Sequence, residues 1–176
     1  MSVVPPSKLW WKEPLHKEEK IWMILAGIFI LGAANAMMPA WHLIGEQNPS
    51  SEAYKISPEK FRVLQNEFIA KYKAGSESGV PVVRPPPGSD VYLAGQQFMW
   101  SPILVLKKGE TYRLHVYSYD VNHGLSIYPM SMNMQVPPNY VWVLKVTPTE
   151  KGEYNLLCNE YCGLGHHMML GKLYVE

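Results

Sequence analysis

Three hydrophobic rhythms follow one another along the chain. The first is unbroken: Ile21 to Met38 (IWMILAGIFILGAANAMM) contains no charged residue. At about 1.5 Å of rise per residue this run spans roughly 27 Å as a helix, close to the thickness of a bilayer core. Trp22 and Trp41 flank it, where amphipathic rings favour the membrane interface, and Pro39 is expected to end the helix. Lys8, Lys12, Lys17 and Lys20 precede the span, whereas only Lys55 lies within the twenty residues after Met38. The basic flank predicts a cytoplasmic segment at 1–20, a transmembrane helix at 21–38 and an extracytoplasmic remainder. A cleavable signal peptide is the competing reading, with Ala34-Asn35-Ala36 as its cleavage site, but the apolar run is long for that purpose. Gly27, Gly32, Ala33, Ala34 and Ala36 around polar Asn35 suit close packing against a larger membrane protein.

The second rhythm is helical. Ser57-Pro58-Glu59 reads as an N-cap followed by a proline in the first turn, and Phe61, Leu64, Phe68 and Tyr72 recur at steps of three and four. An amphipathic helix is expected near 57–73, lying on a partner or on the membrane surface. Gly75 ends it, and the stretch to Asp90 reads as linker, with Arg84-Pro85-Pro86-Pro87-Gly88 as a stiff spacer. Residues 39–90 are therefore read as a connecting segment.

The third rhythm, over 91–176, has period two. Tyr112, Leu114 and Val116 alternate with Arg113, His115 and Tyr117; Tyr140, Trp142, Leu144 and Val146 behave likewise, and 170–175 supplies a last strand. Turns are signalled at Lys107-Lys108-Gly109-Glu110, Pro137-Pro138-Asn139 and Lys151-Gly152-Glu153. The expectation is a mainly β domain, a sandwich with Greek-key connections.

Charge narrows the partners. Lys and Arg number 16 against 15 Asp and Glu in the 176 residues, so the net charge of +1 gives no electrostatic reason for nucleic-acid binding. The portion from 39 to 176 holds twelve of each sign and is formally neutral. No glycine-rich phosphate loop is present, and two cysteines are too few for a disulfide framework.

Those two cysteines lie in the densest chemistry of the chain: Cys158-Asn-Glu160-Tyr-Cys162-Gly-Leu-Gly-His166-His167-Met168-Met169. Two thiolates, an imidazole and a thioether within twelve residues are soft donors, and the thioether tilts the choice from zinc toward copper. One mononuclear blue-copper ion would leave a cysteine over; two coppers bridged by both thiolates would use everything. A second imidazole has to come from elsewhere, and His123, in Asp120-Val-Asn-His123-Gly124, is the best candidate. A Cys158–Cys162 disulfide is the structural alternative, but it leaves His166 and Met169 without a purpose. Met130, Met132 and Met134 alternate on one strand face and read as core or docking surface rather than as a copper relay.

The motif C-x-E-x-C-G-x-G-H-x-x-M, with the anchor, resembles subunit II of the haem-copper cytochrome c oxidases, in its single-helix form. The resemblance covers about Val91 to Glu176 and the apolar helix. It implies a cupredoxin-like Greek-key β-barrel carrying the binuclear CuA centre. Cys158 and Cys162 would bridge two coppers, one completed by His123 and Met169, the other by His166 and the backbone carbonyl of Glu160. His167 and Met168 match no ligand position. In two-helix members the side chain at the Glu160 position also binds magnesium shared with subunit I. The aromatic patch that takes electrons from cytochrome c resembles Gln97-Phe98-Met99-Trp100, with Phe98 where many members have tryptophan, so Phe98 and Trp100 are both candidates for the receiving residue.

What the resemblance implies is an electron-accepting subunit, itself without catalysis, of a proton-translocating oxidoreductase. It would take single electrons from a c-type cytochrome and pass them to haem in subunit I, where dioxygen is reduced to water. Its place would be a prokaryotic inner membrane, beside subunit I and a further small membrane subunit, with the copper domain outside. The alternatives are the same copper module serving a nitric oxide reductase, and a membrane-tethered copper chaperone. The helix near 57–73 has no counterpart in that scheme.

Overall fold

The computed structural model describes residues 8–44, 52–130 and 132–176, so 1–7 of the expected cytoplasmic segment and 45–51 of the expected connection lie outside the described residues. The chain divides into two compact units, Met1–Asn48 and Pro49–Glu176.

In the first unit, α1 (Lys17–Gly32) opens with a capping box in which the Glu19 carboxylate accepts from the His16 N–H at 2.8 Å. The helix does not stop at Pro39. A π-helical turn at Ala33–Met37 leads into α2 (Met38–Ile44), and the whole run Lys17–Ile44 is one helix of 28 residues, long and apolar enough to cross a membrane. Proline lacks an N–H and its ring crowds the carbonyl four residues back, here that of Asn35. The wider π turn relieves that conflict and lets the helix run on. The Asn35 amide finds its partner within the helix, donating to the Leu31 carbonyl at 2.9 Å.

The second unit is a two-sheet sandwich with one helix. In chain order its elements are β1 (Glu52–Lys55), α3 (Pro58–Tyr72), β2 (Lys73–Glu77), β3 (Val80–Val83), β4 (Asp90–Gln96), β5 (Met99–Ser101), β6 (Ile103–Leu106), β7 (Tyr112–Ser118), β8 (His123–Tyr128), β9 (Met132–Val136), β10 (Tyr140–Val146), β11 (Gly152–Cys158) and β12 (Leu170–Val175). One sheet runs β1-β10-β7-β4-β5, the other β2-β3-β6-β12-β11-β8-β9. Pairing is antiparallel except for β4 with β7, β3 with β6, and β6 with β12. Between the sheets lies the main core, including Val91, Leu93, Leu114, Val116, Leu144 and Val146 from one side and Leu104, Leu125, Ile127, Leu156 and Leu173 from the other. Met130, Met132 and Met134 pack half-buried against this core, which suits the core reading of the three.

The folded domain begins well before Val91. The 57–73 helix lies on the domain itself: Ser57 caps it, accepting from the Lys60 N–H, and Phe61, Gln65 and Phe68 are buried. Phe61 stacks on Tyr117 with ring centroids 4.5 Å apart and, with Ala94, Val141 and Val143, forms a second core on the outer face of the first sheet. That sheet is thus covered on both faces. Tyr117 and His115, which strict alternation would turn outward, are therefore buried, and only Arg113 of that set reaches solvent. Nor is the Pro-rich stretch a free spacer. β3 pairs with β6, the Arg84 N–H donates to the Tyr72 carbonyl at 2.9 Å, and the Gly88 N–H donates to the Thr111 carbonyl at 2.9 Å. Amphipathicity reveals that a helix has an apolar face to bury but not which surface will cover it.

Candidate metal centre

Sequence-distant donors meet at one end of the sandwich. His123 is the first residue of β8, fully buried, and Cys158 is the last of β11; the two strands are neighbours in the sheet. Beyond Cys158 the chain makes a tight loop containing Cys162, then a 3-10 turn at His166–Met168, and Met169 leads into β12. The loop closes on itself: the Cys158 N–H donates to the Met169 carbonyl at 3.3 Å, and the His166 N–H to the Gly163 carbonyl at 3.0 Å. Gly163 has φ +134°, a conformation that other residues rarely adopt. Gly124 is equally constrained, because the Asn159 and Glu160 side chains occupy the space its Cβ would need.

The two thiols stand 3.9 Å apart, unbonded, far beyond a disulfide's length of about 2.05 Å. Cys158 Sγ lies 3.7 Å from His123 Nδ1 and 3.3 Å from the Glu160 carbonyl oxygen. Cys162 Sγ lies 3.6 Å from His166 Nδ1 and 3.8 Å from Met169 Sδ. The donor atoms of His123, Cys158 and Cys162 all fall within 4.8 Å of one another. Every predicted ligand is therefore in one cluster, and His167 and Met168 point away, both exposed. The Glu160 carboxylate, offered as a magnesium ligand, accepts from the Gln135 side-chain amide at 3.1 Å, while its carbonyl faces the thiol.

Burial, reinforced by the adjacent Cys158 thiol, pushes the Cys162 thiol up to about 11. A metal binding at Cys162 would have to displace the proton that burial favours there. The donor set of two thiols, two imidazoles and a thioether suits copper, and its burial would exclude water from the ion.

Sequence reasoning missed the group that orients His123. Asp120 Oδ1 lies 2.7 Å from His123 Nε2, and Asp120 also accepts from the backbone N–H of Gln97 and of Val121, each at 2.7 Å. Burial opposes its charge, but these hydrogen bonds hold the carboxyl below its ordinary range. An ionised carboxylate can only accept, so Nε2 carries the imidazole proton and Nδ1 presents its lone pair toward Cys158. Its place three residues before His123 was the available signal. Gln97 adds a second brace, its side-chain amide donating to the Cys162 carbonyl.

The two electron-receiving candidates occupy different layers. Phe98 is half-buried and packs beneath the ligand loop, where a Cβ on Gly165 would overlap its ring. Trp100 is only 1% exposed and meets the His123 ring edge-on. Trp100 cannot touch a docked protein; Phe98, beside exposed Met99, can.

No protein-family model matches the chain. It is 29% identical over 161 residues to cytochrome c oxidase subunit 2 of Thermus thermophilus, covering 90% of this chain and 91% of that protein. Heme-copper oxidase subunit 2 of Aeropyrum pernix is 24% identical, covering 99% of this chain and 88% of that protein. Among solved structures, a chain from a heme-copper terminal oxidase dimer matches with a TM-score of 0.60 at 22% identity, covering 91% of this chain and all of that one. Rusticyanin from Thiobacillus ferrooxidans, a copper protein, matches with a TM-score of 0.52 at 16% identity over 73% of this chain and all of that one, a likeness of fold. The sandwich is cupredoxin-like, its apolar helix fits a membrane-anchored protein, and along nearly its whole length the chain is similar to subunit 2 of haem-copper oxidases.

Proposed function

We propose that the protein receives electrons for a haem-copper oxidase at a binuclear copper centre bridged by Cys158 and Cys162. His123 and Met169 complete one copper, and His166 and the Glu160 carbonyl the other. One observation carries the reading: both thiols, two imidazole Nδ1 atoms, a thioether and a backbone carbonyl converge, each other donor within 4 Å of a thiol sulfur. When bound, such a centre takes up and gives back one electron at a time.

The chain's own part is to hold the donors still. Ligands on loops fixed by a sandwich keep their geometry in both oxidation states. Asp120 fixes the tautomer and tilt of His123, Gln97 braces the loop at Cys162, and burial of His123, Cys162 and Met169 keeps water out. Phe98 is the surface contact for a c-type cytochrome, with Trp100 behind it against His123. The N-terminus is cytoplasmic, the copper domain extracytoplasmic, and subunit I receives the electron. Copper quantification with electron paramagnetic resonance on the purified protein tests this. Two coppers per chain sharing one unpaired electron are expected; a four-line hyperfine pattern, the sign of one localised ion, overturns the reading.

A further inference from the structure

The helix α3 builds more than a cover for the sheet. Between α3, the β2–β3 hairpin and the β4–β5 hairpin lies a cleft of about 440 Å³, a size typical of small-molecule sites. Arg62, Asn66 and Ile69 border it along one stripe of the helix, and Lys73, the first residue of β2, borders it just past the helix end. The two cations lie eleven positions apart along the chain, Arg62 within α3 and Lys73 just past its end.

No carboxylate lines the cleft, and neither Arg62 nor Lys73 is ion-paired among the described residues. The Arg62 guanidinium is held 4.3 Å over the Tyr119 ring. At the base Gln65, 5% exposed, donates to the Ser101 carbonyl at 2.8 Å and accepts from the Tyr119 hydroxyl at 2.7 Å. A primary amide has two N–H groups, so one remains for a ligand. Ile69 and Pro81 give the middle an apolar wall.

We propose that this cleft binds an elongated organic dianion, one acidic group at Arg62, the other at Lys73, and an apolar body over Ile69. The inference is independent of the copper reading. Because Met99 and Ser101 form the opposite wall, an occupant would tie α3 to the hairpin that carries Phe98 and Trp100.

Calorimetric titration of the full-length protein in neutral detergent at low ionic strength tests it. The probes are the straight-chain dicarboxylates from succinate to sebacate, with octanoate as the monoacid. Affinity should peak beyond succinate, and suberate should bind more tightly than octanoate. Arg62→Gln and Lys73→Gln should each weaken suberate about fivefold, the worth of one exposed charge contact, and erase its advantage over octanoate. Lys107→Gln, remote from the cleft, should change nothing. If Arg62→Gln fails to fold, Arg62→Lys keeps the charge and should retain the preference for two acidic ends. Absence of saturable binding, affinity indifferent to chain length, or equal binding by the Gln variants overturns the proposal.

Discussion

The indole of Trp100 and the imidazole of His123 meet edge-to-face, their centroids 5.9 Å apart at 64°, over the bare backbone of Gly95. A Cβ on Gly95 would stand 2.8 Å from Trp100 Cζ3 and 3.3 Å from His123 Cδ2. Glycine is needed here because two buried rings already fill the space.

Gly95→Ala should therefore push one ring or the other. We expect a loss of about 1–3 kcal/mol from overpacking, with a shifted copper absorption spectrum because His123 moves. Thermal unfolding and a visible spectrum check it; an unchanged spectrum would mean that Trp100 alone gives way.

Phe98 fills the hollow beneath Gly165. Gly165→Ala should displace the ring, and Phe98→Ala should remove it. Both should slow reduction by a c-type cytochrome in stopped-flow measurements while two coppers remain bound. With residues 39–176 formally neutral, that rate should fall only weakly with salt. A drop of about tenfold or more across the range in which charges become screened would show that ionic steering governs docking.

Asp120 fixes which nitrogen of His123 faces the thiol. Asp120→Ala should weaken copper binding by about 10- to 100-fold, as expected for a lost outer partner of a ligating histidine. Chelator competition measures this, and an unaltered affinity would confine Asp120 to a structural role in the β7–β8 turn.

Met169 is 1% exposed with its sulfur 3.8 Å from Cys162 Sγ. Met169→Leu nearly conserves volume, so the fold should survive at a cost below about 1.5 kcal/mol. Losing a weak thioether donor should raise the reduction potential without releasing copper. Film voltammetry checks it; an unchanged potential would take Met169 out of the coordination sphere.

A surface cluster gives an acid-dependent test. Lys172 on β12 bonds Glu77 on β2 and Glu153 on β11, each at 3.0 Å, and the Tyr174 hydroxyl donates to Glu77. The Lys172 and Tyr174 hydrogen bonds hold the Glu77 carboxyl below its ordinary 4.5. A lowered value in the folded state stabilises above that ordinary value, and the contribution disappears as pH falls through the lowered one. Glu77→Gln should thus reduce the melting temperature at pH 7, and the gap to the unmodified protein should close in acid.

The candidate metal centre was legible as a cluster because most of its donors lie within twelve residues, and soft donors at short spacing leave few other purposes for Cys158, Cys162, His166 and Met169. His123 could be nominated by chemistry alone, since one more imidazole was wanted. Asp120 could not, because a carboxylate near a histidine is ordinary until the loop brings them to 2.7 Å. The strands were readable from alternation, but not the burial of Tyr117, which α3 covers through Phe61, or of His115, which packs against Tyr54 and Tyr92. Trp100 and Phe98 are both aromatic in sequence; only the packing assigns one to the interior and the other to the rim.

The place of β12 bears on how the protein can be made. It follows every other strand along the chain, yet it sits in the middle of its sheet, between β6 and β11 and parallel to the former. While a ribosome is still producing the ligand loop, the edges of β6 and β11 that β12 will join have no mate, and the long-range pairing that closes the sheet is the slow kind. The loop with Cys158, Cys162, His166 and Met169 is pinned only once β12 zips in behind it. A metal would accordingly meet the full donor set only after β12 has paired with β6 and β11.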